Sequence, residues 1–182
     1  MLLLRHRRHR IARAIAGLKK PTIAAVNGVC VGVGWSYALA CDIVIASETA
    51  RFAQIFRNIG LVPDGGAVWQ LRQQIGAMRA KEIVYSGRMV GVDEALDLGL
   101  VLEKVEGDRL LARAQELAAA FAKAPTLALG MAKRQFDLAP ATSFDQFLEA
   151  EFSMQPLISR SEDHHEGVAA FKERRPPDFQ GA

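Results

Sequence analysis

Thr22-Ile23-Ala24-Ala25-Val26-Asn27-Gly28 runs on through Val29-Cys30-Val31-Gly32-Val33-Gly34 into Trp35-Ser36-Tyr37-Ala38-Leu39-Ala40-Cys41-Asp42 and Ile43-Val44-Ile45-Ala46, and this stretch decides the fold. Thr22–Val26 is short, partly β-branched and apolar throughout, which reads as a buried strand. Asn27-Gly28 marks a turn. Glycine then alternates with small apolar residues up to Gly34. Trp35–Cys41 reads as a short helix ended by Asp42, Ile43–Ala46 as a second buried strand, and Ala50-Arg51-Phe52-Ala53-Gln54 as a candidate third. Strand, glycine-rich turn, helix and strand in succession describe an α/β core.

Outward from this stretch the pattern becomes helical. Residues 3–18 read as an amphipathic helix, with Ile11, Ile15 and Leu18 at helical spacing. Gly17 falls near its end and Pro21 cannot continue it. After a loop with Gly60, Pro63, Gly65 and Gly66, the chain reads as mostly helical from Ala67. Leu110, Leu111, Ala114, Leu117, Ala118 and Phe121 form one apolar stripe, and Phe144, Phe147, Leu148 and Phe152 another. Pro125, Pro140 and Pro156 punctuate these helices, and Pro176–Ala182 reads as an irregular tail. Only two or three strands are visible and none precedes the first helix, so the chain reads as starting in the middle of a fold.

The 182 residues are 50% hydrophobic and 24% charged, which allows one domain, or one domain with a helical appendage. A net charge of +3 gives no strong field toward nucleic acid or anionic lipid. No apolar run approaches the length that spans a bilayer. Cys30 and Cys41 form no CxxC and no Cys/His cluster, so the expectation is two reduced, buried thiols of a cytoplasmic protein and no metal site. The basic start, Arg5-His6-Arg7-Arg8-His9-Arg10, reads as a solvated helix face. Three leucines precede the charges, the reverse of a secretory signal. A transit peptide or a nucleic-acid arm is the other reading, although no aromatic residue interleaves with the arginines.

Glycine-rich turns that open a helix present free backbone N–H groups to an anion. Gly32-Val33-Gly34-Trp35-Ser36-Tyr37 lacks the third glycine of GxGxxG, and no P-loop lysine follows. The same geometry suits an oxyanion hole, where a backbone N–H meets a carbonyl oxygen gaining charge. Close packing of helix on strand is the plainer use. Asp64 before two glycines fits an ordinary turn. His164 and His165 are adjacent, diverge on a helix and cannot chelate together. Trp69 reads as core or pocket wall.

Taken together, Lys20–Gly28, Gly32-Val33-Gly34, Ala38–Ala46, Phe52-Ala53-Gln54, Ile59–Gly66, Ser86-Gly87-Arg88, Ala95–Val101 and Glu166–Phe179 resemble the enoyl-CoA hydratase/isomerase (crotonase) family, in order along nearly the whole chain. The resemblance implies a spiral of ββα units, incomplete at its N-terminal side and spanning residues 1–106 with the acyl-CoA site. A helical oligomerisation module over 107–182 would follow, giving a homotrimer or hexamer. It implies an acyl-CoA thioester as substrate, with CoA as part of the substrate and no separate cofactor. Val33 N–H would be one oxyanion donor, where the family usually has glycine. The other donor lies on an earlier loop with no equivalent in these residues. Gly32 and Gly34 would border the thioester. Family hydratases use two glutamates, and matching the motifs places these at Ser36 and Phe56. Ser36 can at best position a water and Phe56 moves no proton, which disfavours hydration. Asp64 matches the acid of several isomerase branches, including dienoyl-CoA isomerases and the ring-epoxide isomerases of phenylacetate degradation, so a double-bond isomerase using Asp64 is expected. Phe171 and Arg174 match the helix that touches the CoA of a neighbouring subunit. A non-catalytic binding or oligomerisation subunit is the competing reading.

Overall fold

Ile23–Val26 forms strand β1, which lies parallel to β3 (Ile43–Ser47), with Ile23 opposite Ile43 and Val26 opposite Ala46. The computed structural model describes residues 8–182, so the first residues of the helix expected over 3–18 lie outside the described residues. The described part of that helix is α1 (His9–Ala16), closed by the Gly17 N–H on the Arg13 carbonyl at 2.8 Å. Around β1 and β3 follow β2 (Val29–Val31), α2 (Val33–Leu39), β4 (Arg51–Ala53), a 3-10 turn over Ile55–Ile59, α3 (Ala67–Ser86), β5 (Val90–Gly91), α4 (Val92–Asp97) and β6 (Glu103–Val105). Then come α5 (Leu110–Ala122), α6 (Thr126–Leu138), a 3-10 turn over Ala139–Ala141, α7 (Phe144–Ile158) and α8 (Glu162–Glu173).

The strands make two three-stranded sheets, ordered β1-β3-β6 and β2-β4-β5. The first is all parallel; in the second, β4 runs parallel to β2 and antiparallel to β5. Six strands therefore stand where the sequence shows two or three. The overlooked ones are two or three residues long, too short to show a period of two. Glu103-Lys104-Val105 is charged as well, and Gly91 weakens the signal of β5. Val29–Val31 is a strand in its own right, so the glycine segment is not one continuous turn into the helix. The break comes at Gly32, whose φ of 55° is the left-handed region that glycine enters at little cost.

Two compact units divide the chain, residues up to 17 with 22–115, and 18–21 with 116–182. In the first, Trp35 and Leu39 of α2 point into a core with Phe52, Leu71, Ile83 and Val90, all essentially buried. The Trp35 and Phe52 rings meet with centroids 5.5 Å apart and tilted by 38°. Such pairs are worth about 0.5–1.5 kcal/mol beyond their burial. This contact fixes α2 against β4 and so fixes where the start of α2 lies. The helix from Ala67 is interrupted at Gly76 (φ 76°, ψ 165°). Arg88 bridges its end to α4, with Nε 2.7 Å from Glu82 Oε1 and Nη2 2.6 Å from Glu94 Oε1. Trp69 is 55% exposed and is therefore not core; Trp35 fills that role. Cys30 and Cys41 are not joined in a disulfide, and both are only partly buried rather than buried.

In the second unit α6 packs on α7. Ser143 starts α7 with a reciprocal cap: its Oγ accepts from Gln146 N at 3.3 Å and its own N–H donates to Gln146 Oε1 at 3.0 Å. Pro156 lies inside α7 rather than between helices. It sits in the last turn, where its missing N–H forfeits a single bond to the carbonyl four residues back. Gly130 is required by a close approach, since a Cβ there would fall 2.4 Å from the Lys19 carbonyl oxygen. Arg175 pairs with Glu166 at 2.5 Å, and the tail is irregular yet tied to α8. Among the described residues, no helix is long and apolar enough to cross a membrane.

Candidate active site

At the start of α2 the backbone leaves β2, turns through Gly32 and enters the helix at Val33. The Gly32 N–H donates to the Ala53 carbonyl at 2.9 Å, which ties the turn to the end of β4. Val33 is the first helical residue, so its N–H has no acceptor inside the helix. Gly34 is exposed, and a Cβ built on it would meet nothing within 4 Å. A ligand therefore has open space beside this turn. Phe56 is buried, and its ring lies 3.8 Å from where a Gly32 Cβ would stand.

Ser36 is buried on the same helix, and its Oγ donates to the Gly32 carbonyl at 3.1 Å. That bond turns the hydroxyl proton back onto the helix. The Asp64 loop presses against this point. Gly65 has φ 67°, and a Cβ on it would stand 2.8 Å from Ser36 Cβ and 3.5 Å from the Tyr37 ring. Glycine at 65 is thus required twice, by conformation and by space.

Asp64 is 9% exposed. Its Oδ2 accepts from the Arg8 guanidinium, while Oδ1 is buried with no hydrogen-bond partner among the described residues. Arg8, at the N-terminal edge of α1, is held above its ordinary pKa, first by its hydrogen bond to Asp64 and then by the charge of that carboxylate. The structure thus brings Gly32, Val33, Gly34, Ser36, Phe56 and Asp64 together in the first unit. Phe171 and Arg174 belong to the second unit: Phe171 is exposed on α8, and Arg174 ends that helix in the left-handed conformation, φ 56°.

Two residues escape the sequence reading. Arg8 reads as one more charge on a basic face, and nothing at that position signals a partner 56 residues away. Gln54 is wholly buried with neither amide atom partnered among the described residues, a rare condition visible only once burial is known. Burial pushes the Cys30 thiol up to about 11, which disfavours the nucleophilic thiolate. Among the described residues no group of three or more His, Cys, Asp or Glu could hold a metal ion.

The sequence model described as enoyl-CoA hydratase/isomerase matches residues 4–182. The 1,2-epoxyphenylacetyl-CoA isomerase of Escherichia coli K12 is 39% identical over 171 residues, which is 94% of this chain and 65% of the relative. The 2,3-dehydroadipyl-CoA hydratase of the same organism is 35% identical, over 92% of this chain and 66% of the relative. The chain thus spans about two thirds of the length of these curated relatives. Among solved structures, an enoyl-CoA hydratase of Bacillus anthracis superimposes with a TM-score of 0.93 at 31% identity, covering 100% of this chain and 72% of that one. The α/β fold with its helical C-terminal part is the fold of those enzymes, and with the sequence match over nearly its whole length the chain belongs to the enoyl-CoA hydratase/isomerase family, in the crotonase superfamily.

Proposed function

We propose that the chain acts on an acyl-CoA thioester and shifts a double bond in its acyl group, with Asp64 as the single acid and base. Asp64 removes a proton from the α-carbon of a 3-enoyl thioester. The C–H electron pair passes into the thioester as an enolate, whose oxygen accepts from the Val33 N–H. The proton then returns from Asp64 to the γ-carbon, and the double bond moves from β,γ to α,β. No atom is gained or lost.

The observation that carries this reading is the buried Asp64 carboxylate, with one oxygen unpartnered among the described residues, on a loop whose next residue, Gly65, packs against Ser36 of α2. Hydration is the weaker reading, because the Ser36 hydroxyl proton is committed to the Gly32 carbonyl and a phenyl ring at 56 carries no proton. We further propose that residues 107–182 form a homotrimer or hexamer. The exposure of Phe136, Phe144, Phe152 and Phe171 supports an apolar interface on this part of the chain. Phe171 and Arg174 would then meet the CoA of a neighbouring subunit, with CoA entering as part of the substrate and no separate cofactor.

Titration of the chain with CoA and crotonyl-CoA, then an isomerase assay on a 3-enoyl-CoA, tests this. Saturable binding with turnover that Asp64→Asn removes supports it. Binding without turnover instead identifies a non-catalytic binding subunit.

A further inference from the structure

The two oxygens of Asp64 have different surroundings. Oδ2 carries the Arg8 guanidinium; Oδ1 is buried and has no hydrogen-bond partner among the described residues. The side chains differ as well, with Arg8 47% exposed and Asp64 7%. A half-solvated cation on α1 thus reaches a carboxylate that water barely touches.

Loop contacts alone do not define which oxygen faces a substrate. Gly65 fixes the backbone on Ser36, but rotation about the last torsion of an aspartate is broad and two-fold. A second anchor is needed to distinguish the two oxygens. The planar guanidinium is suited to that task, because it stays charged and donates in a fixed direction.

We infer that Arg8 is a positioning residue for the proton transfer: by holding Oδ2 it turns the Asp64 carboxyl so that Oδ1 alone takes and returns the substrate proton. The inference rests on the reading of Asp64 as the acid and base. In the forward step the C–H bond breaks, its electron pair goes to the thioester enolate, and the proton bonds to Oδ1. Arg8 keeps its hydrogen bond to Oδ2, now a carbonyl oxygen, and its own protons throughout. In the return step the Oδ1–H bond breaks and the γ-carbon receives the proton. An ion pair that merely ties α1 to the loop would have no need of an unpartnered second oxygen, and a buried acceptor left that way costs about 1–3 kcal/mol.

The test uses the full chain in D2O with a 3-enoyl-CoA, following exchange of the α-proton for deuterium by NMR, with kcat and KM measured separately. Native chain, Arg8→Met, Arg8→Lys and Asp64→Asn are compared. A misplaced catalytic group loses up to about 10²-fold in rate. Arg8→Met is accordingly expected to lower kcat for exchange by about 10- to 100-fold with KM unchanged, and Arg8→Lys to recover part of the loss. Exchange by Arg8→Met at the native kcat, with Asp64→Asn inactive, overturns the role of Arg8 and leaves Asp64 standing. A parallel fall in kcat and rise in KM, with a lowered melting temperature, also overturns it, since a structural pair does that. Undiminished exchange and isomerisation by Asp64→Asn, or neither exchange nor isomerisation by the native chain on a thioester it binds, removes the reading of Asp64 and the role of Arg8 with it.

Discussion

Asp64 and Asp163 are both buried carboxylates, yet the structure finishes one and leaves the other unfinished. Asp163, on α8, accepts the Gln180 N–H on Oδ1 at 2.7 Å and the Gly181 N–H on Oδ2 at 2.9 Å. Its own N–H donates to the Ala182 carbonyl at 3.0 Å. Both carboxylate oxygens are used, and the result is mechanical: the tail is bound to the helix. Among the described residues Asp64 has one partner, a side chain that is half solvated, and one oxygen with none. Burial of a polar group costs free energy unless hydrogen bonds offset it. Asp163 follows that rule, and Asp64 departs from it among the described residues.

This contrast predicts different responses to the same substitution. In Asp64→Asn, isomerisation is expected to fall by about 10²–10⁴-fold, the usual contribution of acid–base catalysis. Hydrogen exchange in the Asp163 region should not change. In Asp163→Asn, the amide offers one acceptor where two N–H groups need one each. Leaving a buried donor unpaired costs about 1–3 kcal/mol, so protection of the Gln180 and Gly181 amides should drop by about 5- to 150-fold in an NMR exchange experiment. An equal loss of protection in both variants would erase the distinction between the two aspartates.

A smaller effect sharpens it further. Arg175, and after it the Asp178 N–H, holds the Glu166 carboxyl down at about 2 from an ordinary 4.5. A depressed carboxyl contributes stability above its unfolded value and loses it as pH falls toward its folded value. The tail should therefore loosen between about pH 4.5 and 2, and Glu166→Gln should remove that dependence. Glu166 is solvated, so the expected change is local, visible as broadening of tail resonances rather than as unfolding of α8.

How much of this was legible in advance depends on the range of the interaction. β1, α2, β3 and β4 are announced by local runs such as Ile43–Ala46, and the long helices by their stripes. β2, β5 and β6 are not, because two or three residues hold no periodicity and pairing decides their conformation. Gly32, Val33 and Asp64 were findable from the glycine turn and the Pro63-Asp64-Gly65-Gly66 loop with the family motifs in view. Arg8 on Asp64 was not, since no local pattern encodes a contact across 56 residues. Phe144 and Phe152 show the converse: their spacing marks a helix face correctly, yet both are exposed, so periodicity gave the face without giving what covers it.

The most direct measurement is NMR of the products when a 3-enoyl-CoA is incubated with the native chain in D2O. A single carboxylate that removes and returns the proton yields 2-enoyl-CoA, part of it still carrying at the γ-carbon the proton taken from the α-carbon. Accumulation of 3-hydroxyacyl-CoA, or γ-carbons filled only from solvent by Asp64→Asn as fast as by the native chain, would contradict Asp64 as the single acid and base.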